Sequence, residues 1–145
     1  MTPSYEVEAD GGSRGNPGAA AYGTVVIVDG AVVRELAGTI GVASNNVAEY
    51  RSVLAALEWI AATAADPVPV AVRMDSKLVV EQMSGRWKIK HPDMRTLASK
   101  VRAAYPPELV RYQWIPRERN QRADALVNEA LDARVSTIDR RPLGI

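Results

Sequence analysis

Polar and apolar residues alternate from residue 4 to residue 9, with Tyr5, Val7 and Ala9 on one side, which is the period of a half-buried strand. The next nine residues, Asp10 to Gly18, hold four glycines, a proline and an asparagine, and predict a tight loop. Two β-rich runs follow, residues 19–28 (AAAYGTVVIV) and 32–40 (VVRELAGTI). Asp29-Gly30 between them suits a hairpin turn, so three antiparallel strands are expected in succession. The period then changes: Val47, Tyr50, Leu54, Leu57 and Ala61 recur at steps of three and four. That stripe predicts an amphipathic helix from Asn46 to Thr63, stopped by Asp66-Pro67. Residues 68–74 (VPVAVRM) read as a short buried strand, Ser76 to Ser84 as a helix, and residues 85–91 (GRWKIKH) as an irregular basic segment. Pro92 opens another helix with Leu97, Val101 and Ala104 as its apolar side, ending before Pro106-Pro107. Residues 109–115 (LVRYQWI) alternate as a strand, and Asn120 to Val135 form the last predicted helix.

The order β-β-β-α-β-α-α-β-α predicts an α/β fold: a mixed five-stranded sheet, three antiparallel strands then two parallel ones, flanked by helices. The first strand and the strand ending at Met74 then lie side by side, and their carboxyl ends bring Asp10 and Asp75 together, the general location of sites in such sheets. Residues 1–134 are read as one domain, and 135–145 as a polar tail or linker with little to bury. There is no internal repeat.

Composition narrows the chemistry. The chain has no cysteine, which excludes thiol nucleophiles, disulfides, thiolate zinc sites and iron–sulfur clusters. Its single histidine, His91, rules out a histidine-rich zinc site. The formal net charge is +1, so attraction to a polyanion has to come from local patches. No 18-residue apolar run and no secretory signal are visible, so a cytoplasmic protein with no membrane association, acting as a monomer, is the expectation.

Four acids fall where an apolar segment gives way to a turn or a helix start: Asp10, Glu49, Asp75 and Asp124. Each has an ordinary explanation by itself. Asp10 before Gly-Gly suits a turn, and Asn46 with Glu49 has the spacing of a capping box. Asp75 could cap a helix, and Asp124 could complement a helix dipole. Together they suit a different role. Carboxylates sharing one pocket repel and take up protons unless Mg²⁺ or Mn²⁺ neutralises them, and hard oxygen ligands around two divalent ions are equipment for in-line attack on a phosphodiester.

These residues carry a resemblance. From about Tyr5 to Asp132 the chain resembles the type I ribonuclease H family, through DGGSRGNPG with Asp10, SNNVAEYRSVLAAL with Glu49, RMDSKLVVEQMSG with Asp75 and IPRERNQRADALVNEA with Asp124. The resemblance implies endonucleolytic cleavage of the RNA strand of RNA–DNA hybrids with two Mg²⁺ ions, leaving 3′-hydroxyl and 5′-phosphate ends; Mn²⁺ is a possible substitute and duplex RNA a second substrate left open. It further implies that Asp10 bridges both ions, that Asp124 completes the one that activates water, and that Glu49 and Asp75 hold the other. The loop from Pro116 to Ala123 has no histidine, unlike many bacterial members, and its short form resembles the archaeal-like branch. Arg117 is therefore the candidate to assist turnover in place of a loop histidine. Some relatives carry further domains after this fold, so the chain could be the N-terminal part of a longer bacterial protein.

Substrate contacts are expected from the same segments. Gly11, Gly12 and Ser13 offer backbone amides without side-chain bulk, and Asn16, Asn45 and Asn46 can donate to and accept from ribose 2′-hydroxyls. Loop and cap chemistry is the plain alternative for these residues. Ser44 resembles the small hydroxyl residue with which the family grips a phosphate of the DNA strand. Arg86, Trp87, Lys88 and Lys90 interleave charge with an aromatic ring, as nucleic-acid grooves do, and resemble a shortened form of the family's basic protrusion. A solvated basic loop with Trp87 tucked into the core is the alternative there. Three other readings compete with the nuclease: a module that binds hybrids or structured RNA with a weak or silent site; another nuclease or transferase of the superfamily, such as a resolvase or integrase; and a non-catalytic interaction domain of a longer polypeptide.

Overall fold

The computed structural model describes residues 2–142. Six strands form one sheet: β1 (Tyr5–Arg14), β2 (Gly18–Val28), β3 (Ala31–Ala43), β4 (Val70–Met74), β5 (Val110–Trp114) and β6 (Ile138–Arg140). Their order across the sheet is β5-β4-β1-β2-β3-β6. β1, β2 and β3 pair antiparallel, while β4 runs parallel to both β1 and β5. The helices are α1 (Asn45–Thr63), α2 (Lys77–Met83), α3 (Pro92–Ala104) and α4 (Gln121–Ala133).

Alternation along the strands divides the interior in two. Val7, Ala9 and Val26 pack with Tyr50, Val53 and Leu57 of α1 and with Leu97 and Val101 of α3. Val25 and Ile27, the neighbours of Val26 on β2, face Leu126, Val127 and Ala130 of α4 on the other side. α1 is buried over a different and wider arc than its predicted stripe: Ala48, Ser52, Ala56 and Ile60 are buried and Ala61 is exposed, because the helix is pressed between the sheet and α3.

Two expectations need correction. The sheet has six strands rather than five. The sixth, Ile138–Arg140, lies within the segment read as a polar tail or linker and pairs antiparallel with β3. Ion pairs hold it more than apolar burial does: Arg140 meets Glu35 of β3 and Glu129 of α4, and Asp139 meets Arg34. The second correction concerns Asp10 to Gly18. Most of it is strand, with Gly11↔Tyr22, Gly12↔Ala21 and Arg14↔Ala19 in register, and only residues 15–17 turn.

Two glycines fix how helices approach the end of β1. A Cβ at Gly11 would lie 2.2 Å from the backbone carbon of Ala48, so α1 can reach this strand only because residue 11 has no side chain. Gly23, opposite Asp10 on β2, does the same for α4, since a Cβ there would lie 2.5 Å from the carbonyl oxygen of Ala123. The close approach of α1 brings Glu49 to Asp10, and that of α4 brings Asp124.

Candidate active site

The carboxyl ends of β1 and β4 and the starts of α1 and α4 enclose a cleft of about 380 Å³. Asp10, Glu49, Asp75, Asp124, Asn45, Ser13 and Arg117 all line it. Asp10, Glu49 and Asp75 each bring one carboxylate oxygen within 4.8 Å of the others. Asp124 enters from α4 and lines the same cleft, close enough for its charge to act on Asp10. The local alternatives for two acids are taken by neighbours. Ser44, not an asparagine–glutamate box, caps α1 by accepting from the amide of Val47. Ser76, not Asp75, caps α2 by accepting from Val79.

This cluster is electrostatically unbalanced. Burial, and then the charges of Asp75 and Asp124, push the Asp10 carboxyl up to about 8. Burial first, then Asp10 and Asp75, raise Glu49 well above the carboxylate range. Glu49 Oε2 is buried with no hydrogen-bond partner. A buried oxygen of this kind is costly unless something outside the protein answers it.

The residues expected to contact substrate fall into two groups. Ser13, Asn16 and Asn45 form a chain at the cleft edge: the amide and hydroxyl of Ser13 each donate to Asn45 Oδ1 at 2.8 Å, and the amide of Asn45 donates to Asn16 Oδ1 at 3.1 Å. Gly11 and Gly12 lie in β1 beside them, and Ser44 precedes α1. Asn46 is exposed. Arg86, Trp87, Lys88 and Lys90 do not line the cleft; they form the exposed segment between α2 and α3. There Arg86 is paired with Glu81 at 2.6 Å, and Trp87 is 46% exposed rather than tucked into the core. Gln82 anchors the segment from below, accepting from Tyr50 Oη and donating to the Lys88 carbonyl. His91 is the exposed N-cap of α3, its Nδ1 accepting from the amide of Asp93.

Among the residues the sequence reading missed, two hydrogen-bond to Asp75. Asn120 is 1% exposed, and its Nδ2 donates to the Ala9 carbonyl at 2.8 Å and to Asp75 Oδ1 at 3.0 Å. An asparagine at a helix start reads as a cap, so nothing in the local pattern points inward. Trp114, 48% exposed, donates through Nε1 to the carbonyl of Asp75 at 3.3 Å. Its only signal was a large aromatic residue ending a strand next to the site.

Comparison with known proteins agrees with this geometry. Residues 8–130 match the family model described as reverse transcriptase-like. The bifunctional protein Rv2228c of Mycobacterium tuberculosis is 52% identical over 130 residues, covering 88% of this chain and 35% of that protein. The chain thus spans about a third of the length of the curated relatives it first matches. The solved N-terminal RNase H domain of Rv2228c, a fusion with maltose binding protein, superposes with a TM-score of 0.84 at 48% identity, over 91% of this chain and 96% of that one. LC11-RNase H1 in complex with an RNA/DNA hybrid gives a TM-score of 0.85 at 38% identity, over 90% of this chain and 99% of that one.

Proposed function

The chain belongs to the reverse transcriptase-like family, among the type I ribonucleases H, and from that premise we propose that it is an endonuclease hydrolysing the RNA strand of RNA–DNA hybrids. One observation carries this reading: carboxylates from β1, α1 and the turn after β4 meet within 4.8 Å, and one of them, Glu49, has a buried oxygen with no partner. An all-oxygen, multiply anionic donor set fits Mg²⁺ or Mn²⁺ and does not fit a soft metal. Asp10, Glu49, Asp75 and Asp124 would hold two such cations, which when bound supply the positive charge that acidifies a water and steadies a departing oxygen.

The rest of the work falls to the protein. In-line hydrolysis forms a bond from the water oxygen to phosphorus as the P–O3′ bond breaks, leaving 3′-hydroxyl and 5′-phosphate ends. Ser13 occupies Asn45 Oδ1 with two hydrogen bonds, which leaves the Asn45 Nδ2 as a donor to a ribose 2′-hydroxyl, the group that separates RNA from DNA. Gly11, Gly12, Asn16, Asn46 and Ser44 complete the contact along the backbone. Arg117, permanently charged and at the cleft, neutralises the departing phosphate. Arg86 is committed to Glu81, so Trp87, Lys88 and Lys90 carry the contact with the DNA strand.

The test uses labelled RNA–DNA hybrid, duplex RNA and duplex DNA, each with Mg²⁺, Mn²⁺ or EDTA, on the wild type and Asp75→Asn. The RNA strand of the hybrid is cut with metal and spared in EDTA, duplex DNA stays whole, and Asp75→Asn loses activity by orders of magnitude with unchanged circular dichroism. An intact hybrid, or wild-type cutting by Asp75→Asn, rejects the assignment.

A further inference from the structure

Asn120 stands where an N-cap residue would, immediately before α4, yet its side chain makes no capping hydrogen bond. Asparagine is among the best caps because its side-chain oxygen satisfies a free amide of the first turn. Here that stabilisation is given up. Both side-chain donor bonds run inward, to the carbonyl of Ala9 and to Asp75 Oδ1. The backbone carbonyl of Asn120 also accepts from the amide of Asp124 at 3.2 Å. One residue, 1% exposed, therefore touches the residue before Asp10, the carboxylate of Asp75 and the backbone of Asp124.

The fixed amide orientation has a further consequence. With Nδ2 engaged twice, Oδ1 cannot exchange places with it, and Oδ1 is buried without a partner. A side chain selected for stability alone would have capped the helix and stayed hydrated. A side chain that must hold Asp75 relative to β1 has to accept both losses.

We propose that Asn120 is the positioning residue of the cluster: it locks Asp75 to the end of β1 and ties both to the start of α4, so that the acids keep one separation whether or not a cation is bound. Asn120 acts through Asp75 and is not a ligand. This inference rests on the proposed metal-dependent reading of the site. Partners that orient metal ligands typically change affinity or activity by about 10–100-fold when removed.

The experiment is a thermal-shift titration with MgCl₂, then MnCl₂, on EDTA-treated wild type, Asn120→Ala and Asn120→Ser, with kcat and KM on the hybrid measured in parallel. Serine retains one donor and gives the comparison should alanine fail to fold. The cation concentration at half-maximal shift rises about tenfold or more in Asn120→Ala and less in Asn120→Ser, and kcat falls with little change in KM. A variant that melts earlier in EDTA but keeps the wild-type half-saturation makes Asn120 a core amide only, and overturns the proposal. A wild type with no metal-induced shift overturns the metal-dependent reading itself, so the two failures are distinct.

Discussion

Along β1 the alternate residues Glu6, Glu8 and Asp10 lie on the face opposite Val7 and Ala9, and their surroundings diverge within three steps. Glu6 is paired with Arg73 of β4. Glu8 is held by Arg122 of α4 through two hydrogen bonds at 2.8 and 2.9 Å. Asp10, 8% exposed like Glu8, meets Glu49, Asp75 and Asp124, and forms no ion pair among the described residues. Equal burial therefore separates into a neutralised acid and an accumulating one. A chain under selection for stability alone would have placed an arginine beside Asp10 too. Under the proposed function, this accumulation of charge is what a bound cation would answer.

Neutral isosteres turn that contrast into opposite signs. In EDTA near neutral pH, Asp10→Asn should raise the unfolding free energy by on the order of 1 kcal/mol or more, because it relieves repulsion and a carboxyl forced to take up a proton on folding. Glu8→Gln should lower it by about 1 kcal/mol, since it weakens a pair that is half solvated on the arginine side. Urea melts of the two variants decide the matter. Equal signs would mean that the two positions do not differ as described.

Smaller effects belong to the basic segment, where countercharge is again available but outward. Lys88→Ala with Lys90→Ala should raise KM and flatten the dependence of log affinity on log salt by about one unit per lost phosphate contact. An unchanged slope would make the segment a surface loop. The smallest effect is expected at His91. Removing its cap on α3 should cost about 0.5–1 kcal/mol. kcat should stay within about tenfold, less than general-base catalysis typically supplies, while Arg117→Ala loses more. Steady-state kinetics in which His91→Ala shows the greater loss would reverse the two roles.

Three of the acids stood out because a local period leads up to or surrounds them: alternation before Asp10, a buried run before Asp75, steps of three and four around Glu49. Asp124 stood out only as an acid in the first turn of an expected helix. What the sequence hid depends on partners far along the chain. β6 has one apolar residue, Ile138, and is held by arginine pairs up to 105 residues away, which no local period encodes. Gly11 and Gly12 looked like loop because their use, facing α1 and α4, is tertiary, whereas Gly15 does sit in the turn. Asn120 was masked by its own helix-start position, where its residue type is ordinary.

The most direct test compares the melting temperatures of wild type and Asp10→Asn from pH 4 to pH 8, in EDTA and in Mg²⁺. The Asp10 carboxyl is raised from 3.8 to about 8 in the folded protein, by burial and then by Asp75 and Asp124. A carboxyl raised on folding contributes stability that is full below its unfolded value and is lost as pH rises through its folded one. In EDTA the wild type should therefore lose stability relative to Asp10→Asn between about pH 4 and pH 8, and Mg²⁺ should restore it at pH 8 in the wild type alone. A metal-free wild type that tracks Asp10→Asn across this range, or that gains nothing from Mg²⁺ at pH 8, would contradict the account.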